Sequence, residues 1–437
     1  MERLRTDPGK HKKMQRTKKT AGTGQAASLA ASSDFSRIPY VVFHDPALYE
    51  SEQARIFQGP VWCYLGLEAE IPEPGDFRTT FVGDMPVVFN RAEDSVLHAF
   101  ENRCAHRGSI VQRAPYGRTE THTCIYHQWC YDNKGDLVGV PFRKGIKGKG
   151  GHPADFELAR HGLRKFRVAS YKGVIFGTLS SDTGPLTDYL DAPVRQQFDR
   201  IFSDRLSLLG YARQVVNANW KLYNENVRDP YHASLLHLFH QKFGTYRSTQ
   251  QGATLVANEG RHCIILARTK TDNAEETALA YTDTKVAHSN FRLRDMSMFT
   301  APPDFEDGIT TAIISVFPNL VVQQIANTLA TRQIRPRGPD QFELFWTYFG
   351  FAKDSPATQA QRLKAANLIG PGGYISMEDG EATTLCQRGT LRAQDAVSFI
   401  EMGGRGPVVS CDHLVTEVPI RGFWQSYSRL MGDAVTG

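Results

Sequence analysis

The amino-acid sequence predicts an α+β protein with two folded parts, and three observations support this. The chain has 437 residues, of which 41% are apolar, enough for roughly two to three domains with sizeable cores. Between residues 75 and 179, short strand-like runs alternate with turn residues, which favours a sheet-rich first part. Beyond residue 185, longer helical stretches mix with strands, so we place the boundary near residue 180.

The first 36 residues are predicted to lie outside both folded parts. Residues 1–20 contain eight Lys or Arg and two acidic residues, a net charge of +6. Residues 20–36 are rich in Ala, Gly, Ser and Thr and are typical of a flexible linker. Since the whole chain carries +5, the remainder carries −1, which argues against a nucleic-acid-binding enzyme.

The composition also narrows the class of protein. No run approaches the roughly 18 to 20 apolar residues that a membrane-spanning helix needs, so no membrane contact is expected. The first twenty residues are polar, unlike a secretion signal. Seven cysteines, an odd number spread over a long chain, do not indicate a disulfide framework. We therefore expect a cytoplasmic protein.

The predicted first part covers residues 37–180. Residues 45–57 have helical composition, and residues 61–67 indicate a buried strand. Short runs of β-branched and aromatic residues between turn residues predict the remaining strands, at residues 87–90, 97–100, 124–126 and 173–177.

The predicted second part covers residues 181–437. Residues 186–202 are predicted to form a helix, and residues 313–322 and 342–351 to form strands. No internal repeat of 20 to 50 residues is present, which argues against solenoids and propellers.

Two short motifs in the first part combine one cysteine with one histidine each. Cys104 and His106 form a Cys-x-His pair, and Cys124 and His127 form a Cys-x-x-His pair. Zinc accepts two Cys and two His, but zinc fingers usually group both cysteines together and both histidines together. One sulfur and one nitrogen from each of two facing loops suit a Rieske [2Fe-2S] cluster, in which the cysteines bind one iron and the histidines the other. Zinc remains the alternative.

A second candidate metal site lies in residues 219–237. His232 and His237 are five residues apart, which on a regular helix separates the side chains by about 140°. Both can face one metal only if the helix widens or ends there, and Pro230 favours such an irregularity. Two imidazoles and one carboxylate would complete a facial triad for Fe(II). The spacing alone does not select the carboxylate.

Residues 104–127 resemble the cluster motif of the α subunits of Rieske non-heme iron aromatic-ring-hydroxylating dioxygenases. Respiratory Rieske proteins carry an extra cysteine in each motif, and no such pair is present here. The resemblance extends over residues 37–437 and includes residues 219–237 and Ile-Glu-Met-Gly-Gly at 400–404. It is strongest to the group acting on aromatic carboxylates, such as terephthalate dioxygenase and salicylate 5-hydroxylase.

The resemblance implies an all-β [2Fe-2S] domain followed by a catalytic domain with an antiparallel sheet and helices, of the helix-grip type. It also selects the missing carboxylate: Asp379 matches the family's third iron ligand, with Glu378 as the runner-up. His240, three residues after His237, is expected to be structural, because a third imidazole would displace the carboxylate.

The resemblance gives Asp229 a role between subunits. In the family, an aspartate three residues before the first ligand histidine bridges a cluster histidine of one subunit and an iron-ligand histidine of the next. A carboxylate in this position orients both imidazoles. The resemblance therefore implies a homotrimer, with the possibility of an α3β3 assembly that includes a small β subunit.

The implied activity is the addition of O2 to an aromatic carboxylate, giving a cis-dihydrodiol or a hydroxylated product. No dinucleotide-binding fingerprint follows a strand in the body of the chain, so NADH is expected to act through a separate reductase, with a ferredoxin as a possible intermediary. The alternatives are a related monooxygenase that hydroxylates or demethylates, and an electron carrier with a cluster but no mononuclear iron.

A carboxylated substrate needs a cationic or amide partner in the pocket. Arg332 resembles the arginine that grips a carboxylate in the terephthalate-type enzymes, although a surface salt bridge explains it equally well. The family's second such arginine has no match at residues 412–414, which favours a monocarboxylate or a bulkier aromatic acid over a para-dicarboxylate. His413 and Asn226 are further candidate substrate contacts.

Overall fold

The computed structural model describes residues 33–243, 245–268, 274–284, 294–295, 297, 302–393 and 395–432. The basic tail and most of the predicted linker therefore lie outside the described residues. No helix in the described part of the chain is long and apolar enough to cross a membrane.

The first part is built from three small antiparallel sheets. Their strands are β1 (Cys63–Leu67), β2 (Asp76–Val82), β3 (Met85–Arg91), β4 (Leu97–Glu101), β5 (Tyr116–Arg118), β6 (Thr121–Thr123), β7 (Cys130–Asp132), β8 (Leu137–Gly139), β9 (Arg167–Tyr171) and β10 (Val174–Thr178). The strand orders are β4-β3-β2-β5, β1-β10-β9 and β6-β7-β8. The predicted strand at 124–126 is wrong, because β6 ends at Thr123 and the chain turns immediately afterwards.

The second part is organised around one seven-stranded antiparallel sheet. Its strands are β11 (Leu206–Val216), β12 (Gly252–Ala257), β13 (His262–Arg268), β14 (Ile309–Val316), β15 (Leu320–Ile325), β16 (Thr328–Pro336) and β17 (Phe342–Phe351), in the order β11-β17-β16-β15-β14-β13-β12. The predicted single strand at 313–322 is wrong. It is the hairpin between β14 and β15, and Pro318 in the connection has no N–H to donate to a ladder.

Helices cover both parts. They are α1 (Pro46–Glu52), continued by a π-helical turn (Gln53–Phe57), α2 (Leu186–Ile201), α3 (Trp220–Asn226), α4 (Ala233–Leu236), α5 (Leu238–Phe243), α6 (Ala274–Ala280), α7 (Pro356–Ile369), α8 (Tyr374–Thr390) and α9 (Val418–Met431). Local sequence explains where several of them begin. For example, the Asp45 carboxylate caps α1 by accepting a 2.8 Å hydrogen bond from Ala47 N. The predicted helices at 45–57 and 186–202 and the overall α+β class are confirmed.

The two faces of the large sheet have different neighbours. Paired residues of an antiparallel sheet share a face, and alternate residues of a strand lie on opposite faces. On β16, Thr331 and Gln333 face the first part, where Tyr64 Oη lies 2.9 Å from Thr331 Oγ1 and Thr80 Oγ1 donates to Gln333 Oε1 at 2.9 Å. Arg332 lies on the opposite face, where the candidate site is found.

The N-terminal helix is held by the second part. The buried Glu52 carboxylate at the end of α1 accepts hydrogen bonds from Trp220 Nε1 at 2.7 Å and Tyr427 Oη at 2.6 Å, and it forms an ion pair with Lys221 Nζ. Both charged side chains are almost fully inaccessible. This contact joins α1 to α3, which lies within residues 219–237.

Candidate metal centres

The two loops that carry the Cys/His motifs share one backbone geometry. In each loop the cysteine N–H donates to the carbonyl five residues later, and the residue four positions after the cysteine donates back to the cysteine carbonyl, all at 2.8–2.9 Å. That fourth residue has a positive φ in both loops, 74° at Gly108 and 56° at Gln128. The loops centred on Cys104 and Cys124 are therefore structural counterparts, as the paired motifs require.

The four motif side chains converge between these loops. Cys104 and Cys124 are buried, and the His106 and His127 rings lie 4.5 Å apart between centroids. The Nδ1 atom of His106 is buried without a hydrogen-bond partner, as expected of a nitrogen that binds a metal. This donor set fits a [2Fe-2S] cluster.

The spacing of the donor atoms argues against the zinc alternative. Four ligands of one tetrahedral zinc ion, at 2.0–2.3 Å from the metal, would lie within about 4 Å of one another. In the described part of the chain, no three donor atoms of this first group come within 4.8 Å of each other. Two irons separate the sulfur pair from the nitrogen pair and so accommodate the wider spacing.

The second site depends on a break in the helix after α4. His237 ends α4 with φ −89° and ψ 86°, and α5 starts at the next residue. The predicted irregularity between His232 and His237 is thus confirmed, and it turns both imidazoles towards α8. The His232 and His237 ring centroids are 5.4 Å apart.

Asp379, on α8, completes this group. Its Oδ1 atom lies 3.4 Å from His232 Nε2 and 3.1 Å from His237 Nε2. Among the described residues, these three form the one group of His, Cys, Asp or Glu side chains whose donor atoms all lie within 4.8 Å of one another. Two imidazoles and a carboxylate are the donor set of a non-heme Fe(II) site with open positions, so the residues fit mononuclear iron.

Each histidine also faces a carboxylate on its other ring nitrogen. Asp229 Oδ2 lies 3.4 Å from His232 Nδ1, and Glu378 Oε2 lies 2.8 Å from His237 Nδ1. A proton on Nδ1 leaves Nε2 free for a metal. Glu378 therefore stands behind His237, which favours Asp379 over Glu378 as the third ligand.

The charges of the histidines and carboxylates shift one another's pKa values. Burial lowers the pKa of His232, but the carboxylates of Asp229 and Asp379 outweigh it and raise the pKa to about 10. Burial raises the pKa of Asp379, yet the neighbouring charge and hydrogen bonds of the two histidines hold it well below its ordinary value. The anionic carboxylate is thus favoured, which is the form that binds a cation.

His240 belongs to the surroundings of this group. Its ring is 5.5 Å from that of His237, and its Nδ1 atom shares a 2.7 Å hydrogen bond with Thr245 Oγ1. Burial and the charge of His237 lower its pKa well below the ordinary value, so the ring is neutral. Its position favours the structural role predicted from the sequence.

A cavity of about 490 Å³, counting the open space at its mouth, adjoins the second site. Residues from α3 to α5 and from α8 form one wall, and the large sheet forms the other with Ile265, Thr311, Ile313, Ile325 and Arg332. Mostly apolar walls with a few polar side chains are the usual composition of a small-molecule site.

The candidate substrate residues occupy different places. Asn226 lines the cavity, but its Nδ2 atom lies 3.0 Å from Asp379 Oδ1 and 3.3 Å from His232 Nε2, so it contacts the metal-binding group directly. His413 is exposed and does not line the cavity. Arg332 lines the cavity and is only 4% exposed, which removes the surface salt-bridge interpretation.

The buried guanidinium of Arg332 is held by neutral groups. It donates to Tyr223 Oη at 2.9 Å and to the Gln323 side-chain oxygen, and it lies 4.4 Å from the centre of the Trp346 ring. Its Nε atom has no hydrogen-bond partner, and no carboxylate in the described part of the chain pairs with it. The sequence analysis did not identify Tyr223 or Gln323, although a glutamine within the apolar strand β15 was an available signal.

Comparison with known proteins identifies the family. The model of the Rieske [2Fe-2S] domain matches residues 61–158, and the model described as "Ring hydroxylating alpha subunit (catalytic domain)" matches residues 198–433. The chain belongs to the ring-hydroxylating α-subunit family. The predicted enzyme class, a Rieske-type dioxygenase, and its two cofactors, a Rieske cluster and a mononuclear iron, are thereby confirmed.

Similar proteins cover almost the whole chain. The anthranilate 1,2-dioxygenase large subunit of Burkholderia cepacia is 52% identical over 91% of this chain and 94% of its own length. The α 2 subunit of the terephthalate 1,2-dioxygenase terminal oxygenase from a Comamonas species is 44% identical over 91% of this chain and 96% of its own. Naphthalene 1,2-dioxygenase from a Rhodococcus species, a solved structure, is 25% identical with a TM-score of 0.74, covering 91% of this chain and 95% of that one.

Proposed function

We propose that this α subunit adds O2 to an aromatic monocarboxylate, for which 2-aminobenzoate is the first compound to test. The observation that carries the proposal is the buried Arg332, which lines the same cavity as His232, His237 and Asp379 and has no acidic partner among the described residues. A buried cation of this kind is costly unless an anion joins it, and a substrate carboxylate is such an anion.

We further propose how the chain holds its metals. Cys104, Cys124, His106 and His127 hold the cluster, and His232, His237 and Asp379 hold the mononuclear iron. When bound, these groups supply electrons one at a time and a ferrous ion that activates O2.

The cavity residues position and shield the substrate. Arg332 binds the carboxylate with a guanidinium already held by Tyr223 and Gln323, so little side-chain freedom is lost on binding. Ile313 and Ile325 present apolar surface to the ring and exclude water. Arg332 is the one arginine among the described residues that line the cavity, which disfavours a para-dicarboxylate.

Electrons reach this chain from outside. We propose that NADH is oxidised by a separate reductase, directly or through a ferredoxin, and that the chain works as a homotrimer, with or without a small β subunit. In that assembly Asp229, which lies against His232, links it to a cluster histidine of the neighbouring subunit. The names of the relatives, which are large or α subunits of oxygenases, support an assembly of several subunits.

Arg332→Gln tests the substrate proposal. With reconstituted reductase, the wild-type enzyme is expected to convert 2-aminobenzoate far better than 2-aminobenzamide, which has the same shape without the charge. The variant should lose most of that preference, with kcat/KM for the acid falling roughly a hundredfold, because a charged hydrogen-bond pair is removed. An unchanged preference for the acid would contradict the role of Arg332.

Labelled O2 determines the reaction type. Two labelled oxygen atoms in the product of one turnover indicate dioxygenation, whereas one indicates the monooxygenase alternative. If no aromatic acid causes enzyme that contains both metals to consume O2, the proposed function itself is contradicted.

A further inference from the structure

A glycine-rich hairpin in the first part concentrates positive charge. Within this basic hairpin, residues 142–151, the cations are Arg143, Lys144, Lys147 and Lys149, and no acidic residue interrupts them. None of the four forms an ion pair with any described residue. Since the chain beyond residue 20 has a net charge of −1, this is a strong local excess of positive charge.

The hairpin is exposed and forms a tight turn. Ile146 and Lys149 form an isolated antiparallel bridge, and four of its glycines, at 145, 148, 150 and 151, have positive φ. A Cβ atom at Gly145 would approach Lys149 O to 2.4 Å, so the turn requires glycine there. The tight turn thus holds the four cations on one exposed hairpin.

Large apolar side chains lie beside these cations. Phe142 is 71% exposed and Ile146 is 56% exposed, although both are hydrophobic. Apolar residues bordered by charge are the usual composition of a protein-binding surface. This favours a protein partner over a nucleic acid, for which phosphate contacts alone would suffice.

The basic hairpin is connected to the cluster loops. His152, at its end, donates its N–H to Arg143 O at 2.9 Å, and the centre of its ring is 6.0 Å from that of Trp129. Trp129 in turn stacks on His106, with centroids 4.8 Å apart and planes within 6° of parallel. The rings of His152 and Trp129 therefore connect the base of the hairpin to His106, a candidate cluster ligand.

We propose that the basic hairpin is the docking surface for the electron donor of this enzyme, an acidic iron–sulfur protein. The inference rests on the proposed function, since it requires that the motif residues hold the cluster. In each encounter, the reduced [2Fe-2S] centre of the donor loses one electron and the oxidised cluster of this chain gains it. No bond forms or breaks, and no proton is needed.

The test uses the purified holoenzyme and a plant-type [2Fe-2S] ferredoxin, an acidic donor, as the probe. Lys147→Glu/Lys149→Glu reverses two charges on the hairpin. Arg388→Glu/Arg392→Glu is the matched control, because it also reverses two exposed charges, at the end of α8 and in the turn after it. The Kd for oxidised ferredoxin is measured by calorimetry, and the rate of cluster reduction by stopped-flow absorbance, at low and high salt.

The hairpin variant is expected to raise the Kd and lower the second-order rate constant by roughly tenfold or more at low salt, with a smaller difference at high salt. The control variant should match the wild type in both, and dithionite should reduce all three proteins equally. An unchanged Kd in the hairpin variant would overturn the proposal. A loss that appears together with a smaller assembly mass would also overturn it, because the hairpin would then contact a neighbouring subunit.

Failure of the proposed function gives a different result. Enzyme reduced by dithionite needs no donor protein, so a single turnover with 2-aminobenzoate tests the substrate chemistry alone. If no product forms while the hairpin variant still loses ferredoxin binding, the proposed docking surface is supported and the proposed substrate is contradicted.

Discussion

The two metal-binding regions of this chain are built in opposite ways. The residues proposed to hold the cluster come from two equivalent loops whose cysteines are twenty residues apart, and Tyr126 of the second loop is exposed at the surface. The residues proposed to hold the iron come from a broken helix and from α8, more than 140 positions later, and they face a cavity against the large sheet.

The difference corresponds to what each region must exchange. A centre that receives electrons from another protein must lie close to the surface, whereas O2 activation beside a substrate requires the exclusion of water. Two local loops are enough to form the cluster site. The iron site needs side chains from distant parts of the chain, and so depends on the complete fold.

The largest effect should separate the two regions completely. Asp379→Ala removes the carboxylate of the iron group, so iron should fall from about three to about two atoms per chain, with the cluster spectrum unchanged and turnover lost.

Asp229→Ala should keep all the iron yet lower coupled turnover by roughly 10- to 100-fold, because it removes only an orienting carboxylate. Metal analysis and O2 uptake measure both, and full activity in Asp229→Ala would contradict its linking role.

An intermediate effect should come from the carboxylate behind His237. Glu378→Gln keeps a hydrogen-bond acceptor but removes the charge, so the affinity for Fe(II) should fall about tenfold. Glu381→Gln, three positions later on the exposed side of α8, is the control and should behave as wild type. Titration of the iron-free protein with Fe(II) measures the difference, and equal affinities would show that Glu378 does not support His237.

The smallest effect tests whether the two cluster loops are equivalent. Gly108→Ala places a Cβ atom at a positive φ, and since no atom lies closer than 3.9 Å, only backbone strain opposes it. The free energy of unfolding should fall by about 1–2 kcal/mol. Gln128→Ala, at the matching position of the second loop, should cost much less, because a Cβ is already present and only the exposed hydrogen bond from Gln128 Nε2 to Ile125 O is lost. Thermal unfolding distinguishes the two, and equal losses would contradict the equivalence.

The same contrast explains what could be predicted from the sequence. The Cys/His pairs and the kink between His232 and His237 depend on residues close in sequence, and spacing alone identified them. Asp379 depends on packing between distant helices, so only the family resemblance selected it. The hairpin at Phe317-Pro318 was missed because β14 and β15 are both apolar and read as one strand.

Substrate contacts were the hardest to predict. Arg332 was chosen by resemblance, but its burial and its support by Gln323 follow from the register of β15 and β16, which no local pattern contains. His413 was proposed from a nearby position in the sequence, and the structure places it on the surface instead. A position in the chain does not determine which face of a loop a side chain occupies.

The buried pair of Glu52 and Lys221 has a consequence for dividing this protein. A shortened chain that started after α1 would lose the Glu52 carboxylate together with the helix that carries it, and loss of one partner of a buried pair costs about 3–5 kcal/mol. The helix that would lose this partner, α3, ends at Asn226, three residues before Asp229. The oxygen-activating part is therefore not a module that can be excised and transplanted, because its stability depends on a carboxylate in the first part of the chain.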